Sequence, residues 1–452
     1  MTGDIPRVVI AGAHSGSGKS TITMGLLMAL KERGLDPQPF KTGPDYLDPM
    51  HHTMVLGKEC RNLDTWMFRE EVERLFVKGS RGSGISVVEG VMGLYDGVSG
   101  ISEEGSTALL SKIIKAPVIL VIDAKAAARS AGAVALGFKE YDKDIDLAGV
   151  IFNKVGSENH LRMLEDSLRD IPCLGGVFRD ECMMLESRRL GLVPPAESYD
   201  RERYRKITEH VERCVDIDRL IKIASAAPPF REEYEAAPAK KNRVRIGVAK
   251  DNAFCFYYIH NLESLIEAGA EIVPFSPMED DLPDVSGLYF GGGYPDLFSA
   301  KLEKNKKIRS AVKKASEDGM PVYAEGGGLM YLSNGLSGTD GIRYEMCGAI
   351  DAESKMSDTR RSLGYVEMTC CTDNILCGKG WTVRGHEFHY SATVPAGPDR
   401  YAFVLGRGNG IADGRDGLMT GNIVAGYTHI HFASNPKIPE RFVDCCSGYD
   451  RS

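Results

Sequence analysis

The loop Ala13-His14-Ser15-Gly16-Ser17-Gly18-Lys19-Ser20-Thr21 carries residue types suited to a polyphosphate. Gly16 and Gly18, with Ser17 between them, let backbone N–H groups close around phosphate oxygens. Lys19 neutralises the outer phosphates, and a hydroxyl of the Ser20-Thr21 pair, Ser20 in first place, can reach Mg²⁺. Ala13 stands where the usual pattern begins with glycine. Such a site also needs carboxylates. Val87-Val88-Glu89-Gly90 ends an apolar run on an acid, which suits Glu89 as a metal-side carboxylate. In Lys41-Thr42-Gly43-Pro44-Asp45-Tyr46-Leu47-Asp48, two carboxylates three residues apart flank a rigid Gly-Pro turn; Asp45 and Asp48 either bind Mg²⁺ or orient a phosphoryl acceptor. A nucleotide with Mg²⁺ is the expected ligand of such a site, and Ser20, Asp45 and Glu89 are the expected metal ligands.

These groups can act together only if a sheet brings them to one edge. The apolar run Arg7-Val8-Val9-Ile10-Ala11-Gly12 reads as a buried parallel strand, and residues 22–31 read as a helix whose N-terminal dipole favours anions. Apolar runs at 85–88, 118–122 and 148–152 alternate with helical patterns, which predicts a mostly parallel sheet with crossover helices. Val244-Arg245-Ile246-Gly247-Val248-Ala249 opens a second domain of the same kind. There, short strands at 287–290 and 320–323 run straight into glycine clusters, at the strand ends where ligands gather in open α/β sheets. Residues 226–242 mix Ala, Pro, Glu and Lys without an apolar period, the composition of a linker. The expected division is a first domain at 1–225, a linker at 226–243 and a second domain at 244–452.

With 452 residues, 43% hydrophobic and 26% charged, the composition is that of an ordinary globular protein and excludes disorder, collagen and a disulfide-stapled miniature. A net charge of −8 offers no basic footprint for nucleic acid or an anionic membrane. The eleven cysteines include no paired CxxC set of the zinc type; Cys370-Cys371 and Cys445-Cys446 are either redox pairs or, the blander reading, reduced thiols. Val8-Val9-Ile10 is far shorter than the ~7–15 residues of a signal-peptide core. No stretch approaches the ~18 apolar residues of a membrane span. A soluble, cytoplasmic protein is expected.

Taken together with further blocks, these motifs resemble the cobyrinate a,c-diamide synthases and the closely related Ni-sirohydrochlorin a,c-diamide synthases. The resemblance runs from Val8 to about Pro439 and adds Arg61-Asn62-Leu63-Asp64, Val88 to Gly97, Ala253 to Tyr258, Gly291-Gly292-Gly293-Tyr294-Pro295, Arg384 to Tyr390 and Tyr427 to Phe432. It implies an α/β fold in two halves: an N-terminal phosphate-loop, parallel-sheet domain similar to dethiobiotin synthetase, and a C-terminal domain of the triad class of glutamine amidotransferases. The implied reaction is ATP-dependent amidation of the a- and c-acetate carboxylates of a tetrapyrrole through acyl phosphates, with ammonia released from glutamine. In that reading Asp45, Asp48 and Glu89 serve phosphoryl transfer, while Tyr46 and Leu47 position the macrocycle carboxylate. Lys41 and Arg61 are the nearest basic groups for its acids, and Gly291, Gly292 and Gly293 supply oxyanion-hole amides. His429 is the implied base, with His431 as fallback. The family suggests a monomer or homodimer.

One position departs from the family. Where Cys-Gly-Gly follows the strand Val322-Tyr323-Ala324-Glu325, this chain has Gly326-Gly327-Gly328. Glycine cannot form a thioester, so the glutaminase half is expected to be inactive in this chain. Cys255 and Cys347 do not sit on a strand–glycine–helix elbow. Either an engineered substitution has disabled the glutaminase or a natural chain depends on free ammonia; the intact surroundings favour a deliberate or recent change over decay. Two other classes compete: a partitioning-type ATPase, which would place a second lysine where His14 stands, and a non-catalytic glutamine-binding protein. Sequence does not separate cobyrinate from Ni-sirohydrochlorin.

Overall fold

The computed structural model describes residues 5–188, 191–230, 244–397 and 400–449. The chain divides into two compact units, Met1–Ala236 and Ala237–Ser452. Residues 231–243, most of the expected linker, lie outside the described residues. Its first part packs with the first unit: Ala227 and Phe230 are buried, and the buried Arg7 guanidinium donates to the Pro228 carbonyl and lies 4.3 Å from the Phe230 ring centre.

The first unit is built on β1 (Arg7–Gly12), β2 (Pro37–Thr42), β3 (Arg61–Leu63), β4 (Ile85–Glu89), β5 (Val118–Asp123), β6 (Leu147–Val155) and β7 (Cys173–Phe178). They form one parallel sheet in the order β3-β2-β4-β1-β5-β6-β7. β1, β2 and β4 are buried at every position, as expected where helices cover both faces of a parallel sheet. β2 is not visible in the apolar patterning, because Pro37 and Pro39 withhold ladder donors and read as breakers. Its register matters most. Lys41 on β2 is paired with Glu89 on β4, and Glu89 with Ile10 on β1, so the two charged residues emerge side by side next to the end of β1. Helix α1 (Lys19–Glu32) follows the loop after β1, and α2 (Leu47–Leu56) follows β2.

In the second unit, β8 (Val244–Ala249), β9 (Ala270–Phe275), β10 (Gly287–Phe290) and β11 (Val322–Glu325) precede a short helix, α3 (Gly327–Leu332). Then come β12 (Ser362–Cys370), β13 (Thr382–His389), β14 (Tyr401–Arg407), β15 (Arg415–Thr420), β16 (Ile423–Gly426) and β17 (His429–Ile430). The sheet order is β9-β8-β10-β11-β16-β15-β14-β12-β13-β17. The strands from β9 to β16 in that order pair in parallel, and the rest pair antiparallel. The antiparallel half escapes apolar patterning because its strands bury alternate residues, as in Ser362–Cys370. The strand expected at 320–323 is shifted to Val322–Glu325, after Pro321. Alternation on β10 and β11 sends Leu288, Phe290, Val322 and Ala324 into one core and Tyr289 and Tyr323 into another.

Candidate functional site

The first candidate site lies at the carboxyl ends of β1, β2 and β4. Gly16 (φ +80°) and Gly18 (φ +93°) adopt left-handed conformations, so the loop turns back on itself before α1 begins. A Cβ at Gly18 would lie 2.0 Å from Asn153 Nδ2, and that amide donates to the Ser17 carbonyl at 2.8 Å. Asn153, at the end of β6, therefore ties the loop down. Sequence reasoning did not single it out; its signal was a polar residue closing the apolar run Ile151-Phe152. Lys19 is buried and its Nζ donates to the Met92 carbonyl at 2.6 Å, where Met92 itself is left-handed (φ +47°). Burial, then the charge of Lys41, holds the Lys19 ammonium below its usual range. Thr21 lies in the first turn of α1, partly exposed.

Around Lys41 the sequence-predicted acids converge. Its Nζ is 2.5 Å from Asp48 Oδ2, 2.7 Å from Glu89 Oε1 and 3.7 Å from Asp45 Oδ2. Ser20 Oγ donates to Glu89 Oε1 at 2.7 Å and to Asp48 Oδ2 at 3.0 Å. His52 Nε2 lies 2.5 Å from Glu89 Oε2, one helical turn after Asp48 on α2. The electrostatics split the two carboxyls. Burial would raise Glu89, but the Lys41 charge and the His52 hydrogen bond outweigh it and hold Glu89 well below the usual range. Asp48 is pushed well above by burial and by the charges of Asp45 and Glu89, against the pull of Lys41. Lys41 is raised despite burial, because Asp48 and Glu89 surround it.

Other expectations fall differently. Asp45 uses Oδ1 to accept from the N–H groups of Leu47 and Asp48, capping the first turn of α2, and Ser20 contacts Asp48 rather than Asp45. Tyr46 and Leu47 are both buried, 7% and 4% exposed. Arg61 donates to the Glu59 carbonyl, and its side chain lies against Gly79. The hydroxyl of Ser20 and the carboxylates of Glu89, Asp48 and Asp45 are hard oxygen donors of the kind Mg²⁺ takes. Among the described residues no group of three His, Cys, Asp or Glu could hold a metal ion; Mg²⁺ commonly takes only one or two carboxylates, with waters and substrate phosphates as its other ligands.

The second candidate site is an elbow. β11 ends at Glu325, Gly326 turns with φ +49° and ψ −101°, and α3 starts at Gly327. A Cβ at Gly326 would stand 3.0 Å from both Cε1 and Nε2 of His429. A Cβ at Gly292 would lie 2.5 Å from His429 Cε1, and one at Gly328 would lie 2.5 Å from the Phe290 carbonyl, so this tight crossing requires glycine. Gly291 donates its N–H to Tyr257 Oη at 2.8 Å, which leaves Gly292 and Gly293 as the amides beside the elbow. His429 is buried, its Nδ1 is 3.5 Å from Glu325 Oε2, and its ring stacks on His386 at 5.2 Å. Burial, and then His429, keep His386 well below the usual imidazole range.

His431 is not brought to the elbow. It is fully buried, accepts from the Ala433 N–H, and packs against Tyr258 and His260. Cys347 bonds through its backbone N–H to the Tyr331 carbonyl, in the last turn of α3, and burial pushes its thiol up to about 12. The Cys255 N–H is held by the Gly292 carbonyl.

Residues 8–191 match the CobQ/CobB/MinD/ParA nucleotide binding domain, and residues 245–437 the CobB/CobQ-like glutamine amidotransferase domain. Among similar proteins, the cobyrinate a,c-diamide synthase of Picrophilus torridus is 43% identical over 98% of this chain and 99% of its own. That of Methanosarcina acetivorans is 40% identical over 100% and 97%, and that of Dehalococcoides mccartyi strain 195 is 39% identical over 99% of each. Among the described residues no helix is long and apolar enough to cross a membrane.

Proposed function

Because the chain belongs to the cobyrinate a,c-diamide synthase family, ATP-binding C–N ligases with a glutamine amidotransferase domain, we propose that it amidates the a- and c-acetates of cobyrinate at the expense of ATP. The observation that carries this reading is the buried Lys41–Asp48–Glu89–Ser20 cluster beside the phosphate loop. A carboxylate is a poor electrophile, so the γ-phosphoryl passes to one of its oxygens and releases ADP; ammonia then attacks the carbonyl carbon and inorganic phosphate leaves. Phosphoryl transfer asks the protein mainly for position and charge neutralisation. The loop amides and Lys19 hold the phosphates, and Lys41 presents fixed positive charge where the two anions meet. Mg²⁺, held by Ser20, Glu89 and Asp45 or Asp48, would neutralise charge on the phosphoryl oxygens. The proton released as ammonia becomes amide leaves with the phosphate as hydrogen phosphate. Tyr46 and Leu47 fix the start of α2 and, through it, the carboxyl groups that meet the substrate.

Ammonia comes from solution in this reading, because Gly326 offers no nucleophile to glutamine. The cytoplasm, where ATP is made and thiols stay reduced, is the compartment that fits. The test gives the purified chain ATP, Mg²⁺ and ammonium with cobyrinate or Ni-sirohydrochlorin in parallel, and follows ADP and amide additions by mass. Two additions to cobyrinate are expected. ADP-coupled amidation of Ni-sirohydrochlorin alone would move the substrate assignment, and amidation of neither would overturn the reading.

A further inference from the structure

We propose that Glu325 is a positioning residue for glutamine hydrolysis in this fold: its carboxylate holds His429 in the tautomer that presents a bare Nε2 to the nucleophile position. The proposal rests on the reading of position 326 as that of the nucleophile.

The elbow puts acid and nucleophile position in consecutive residues of one chain segment, on either side of the same imidazole. His429 Nε2 faces the point where a Cβ at 326 would stand, 3.0 Å away, while Nδ1 on the opposite edge of the ring faces Glu325 Oε2 at 3.5 Å. That second distance is longer than a formed N–H···O bond, as is common for such pairs without substrate. Glu325 is 1% exposed, and a buried carboxylate is tolerable only where donors surround it. It has them. Tyr323 and the Ile430 N–H donate to Oε1, the latter at 3.0 Å, and Tyr289 donates to Oε2 at 3.1 Å. Each carboxylate oxygen accepts two bonds, so Oε2 retains one lone pair on the side of His429. The phenols of Tyr289 and Tyr323 are pushed well above their usual range, by burial first and by the charge of Glu325 second, so both remain O–H donors to it.

Sheet geometry explains why this acid reaches the base. Tyr323 and Glu325 alternate onto one face of β11, and Tyr289 on β10 is the register partner of Tyr323, so the three line one face. The residue two beyond the base, His431, is turned into the core against Tyr258 and His260. The other titratable ring against His429, His386 on β13, hydrogen-bonds Tyr258 Oη through Nδ1 at 2.9 Å and meets His429 by stacking.

In a Gly326→Cys background, Glu325→Gln is expected to lower kcat for glutamine hydrolysis by on the order of 10²–10³-fold with KM for glutamine changed less than about threefold, and His431→Gln to leave kcat within about threefold. An unchanged kcat in a folded Glu325→Gln protein would overturn the proposal. The unmutated chain gives a second readout: in ¹⁵N-histidine spectra at alkaline pH, with His429→Gln for assignment, His429 is expected as the Nδ1–H tautomer, and an Nε2–H tautomer would overturn it. Absence of glutaminase in Gly326→Cys alone refutes the reading of position 326, and the tautomer still decides the role of Glu325.

Discussion

Lys41 Nζ sits between two carboxylates, 2.5 Å from Asp48 and 2.7 Å from Glu89, with only 3% of its side chain exposed. A buried ammonium in that place is both a counter-ion for the resting protein and a fixed charge for phosphoryl transfer. The two roles predict different measurements.

Lys41→Met removes the charge while keeping much of the volume. It strands two buried carboxylates, and breaking a buried pair from one side costs about 3–5 kcal/mol. Chemical denaturation of the variant is expected to show a loss of that order, and ammonium-dependent ADP release is expected to fall below detection. A stable variant with ordinary turnover would remove Lys41 from the mechanism.

Asn153→Ala tests the loop tether. Losing the 2.8 Å bond to the Ser17 carbonyl leaves that carbonyl without its side-chain donor and loosens the phosphate loop. The expected cost is about 1–2 kcal/mol in nucleotide affinity, roughly ten-fold in Kd by calorimetry, with little change in thermal stability. An unaltered Kd would mean the loop holds its shape without Asn153.

Gly326→Cys is expected to gain glutamine-dependent turnover, because the elbow geometry and His429 are in place. It also puts a side chain on a left-handed backbone (φ +49°) with Cβ 3.0 Å from the imidazole, so a stability loss of about 1–2 kcal/mol is expected with it. Gly326→Ala should carry the same stability loss and gain no activity. Equal glutamine turnover in the two variants would show that the thiol is not responsible.

Glu387 carries a pH dependence. Burial alone would raise its carboxyl, but His389, the Ser362 hydroxyl at 2.6 Å and the N–H groups of Asn409 and Gly410 hold it below the reference value of 4.5. A lowered native value means the stabilisation is complete above the unfolded value and fades as pH falls through the native one. Glu387→Gln should therefore cost about 1–3 kcal/mol at neutral pH, and the gap to the unmutated chain should close as pH falls below 4.5. A gap that does not vary with pH would assign the loss to packing.

Residue types and short spacings determined much of this protein. A glycine-spaced loop between a buried strand and a helix, an acid ending an apolar run, and two aspartates beside a Gly-Pro turn are local signals, because each depends on neighbours within one turn or strand. Of the parallel strands, β1, β4, β5, β6, β8 and β10 were legible because their runs are continuously apolar, whereas β2, broken by Pro37 and Pro39, was not. Only the tertiary structure decided which charges meet. Strand register made Lys41 the centre of the acid cluster, and helix phase brought His52 under Glu89. It decided also that the acid facing His429 is Glu325 and that His431 is turned away. These partners are separated by up to about a hundred residues, and no local period encodes a contact that sheet order creates.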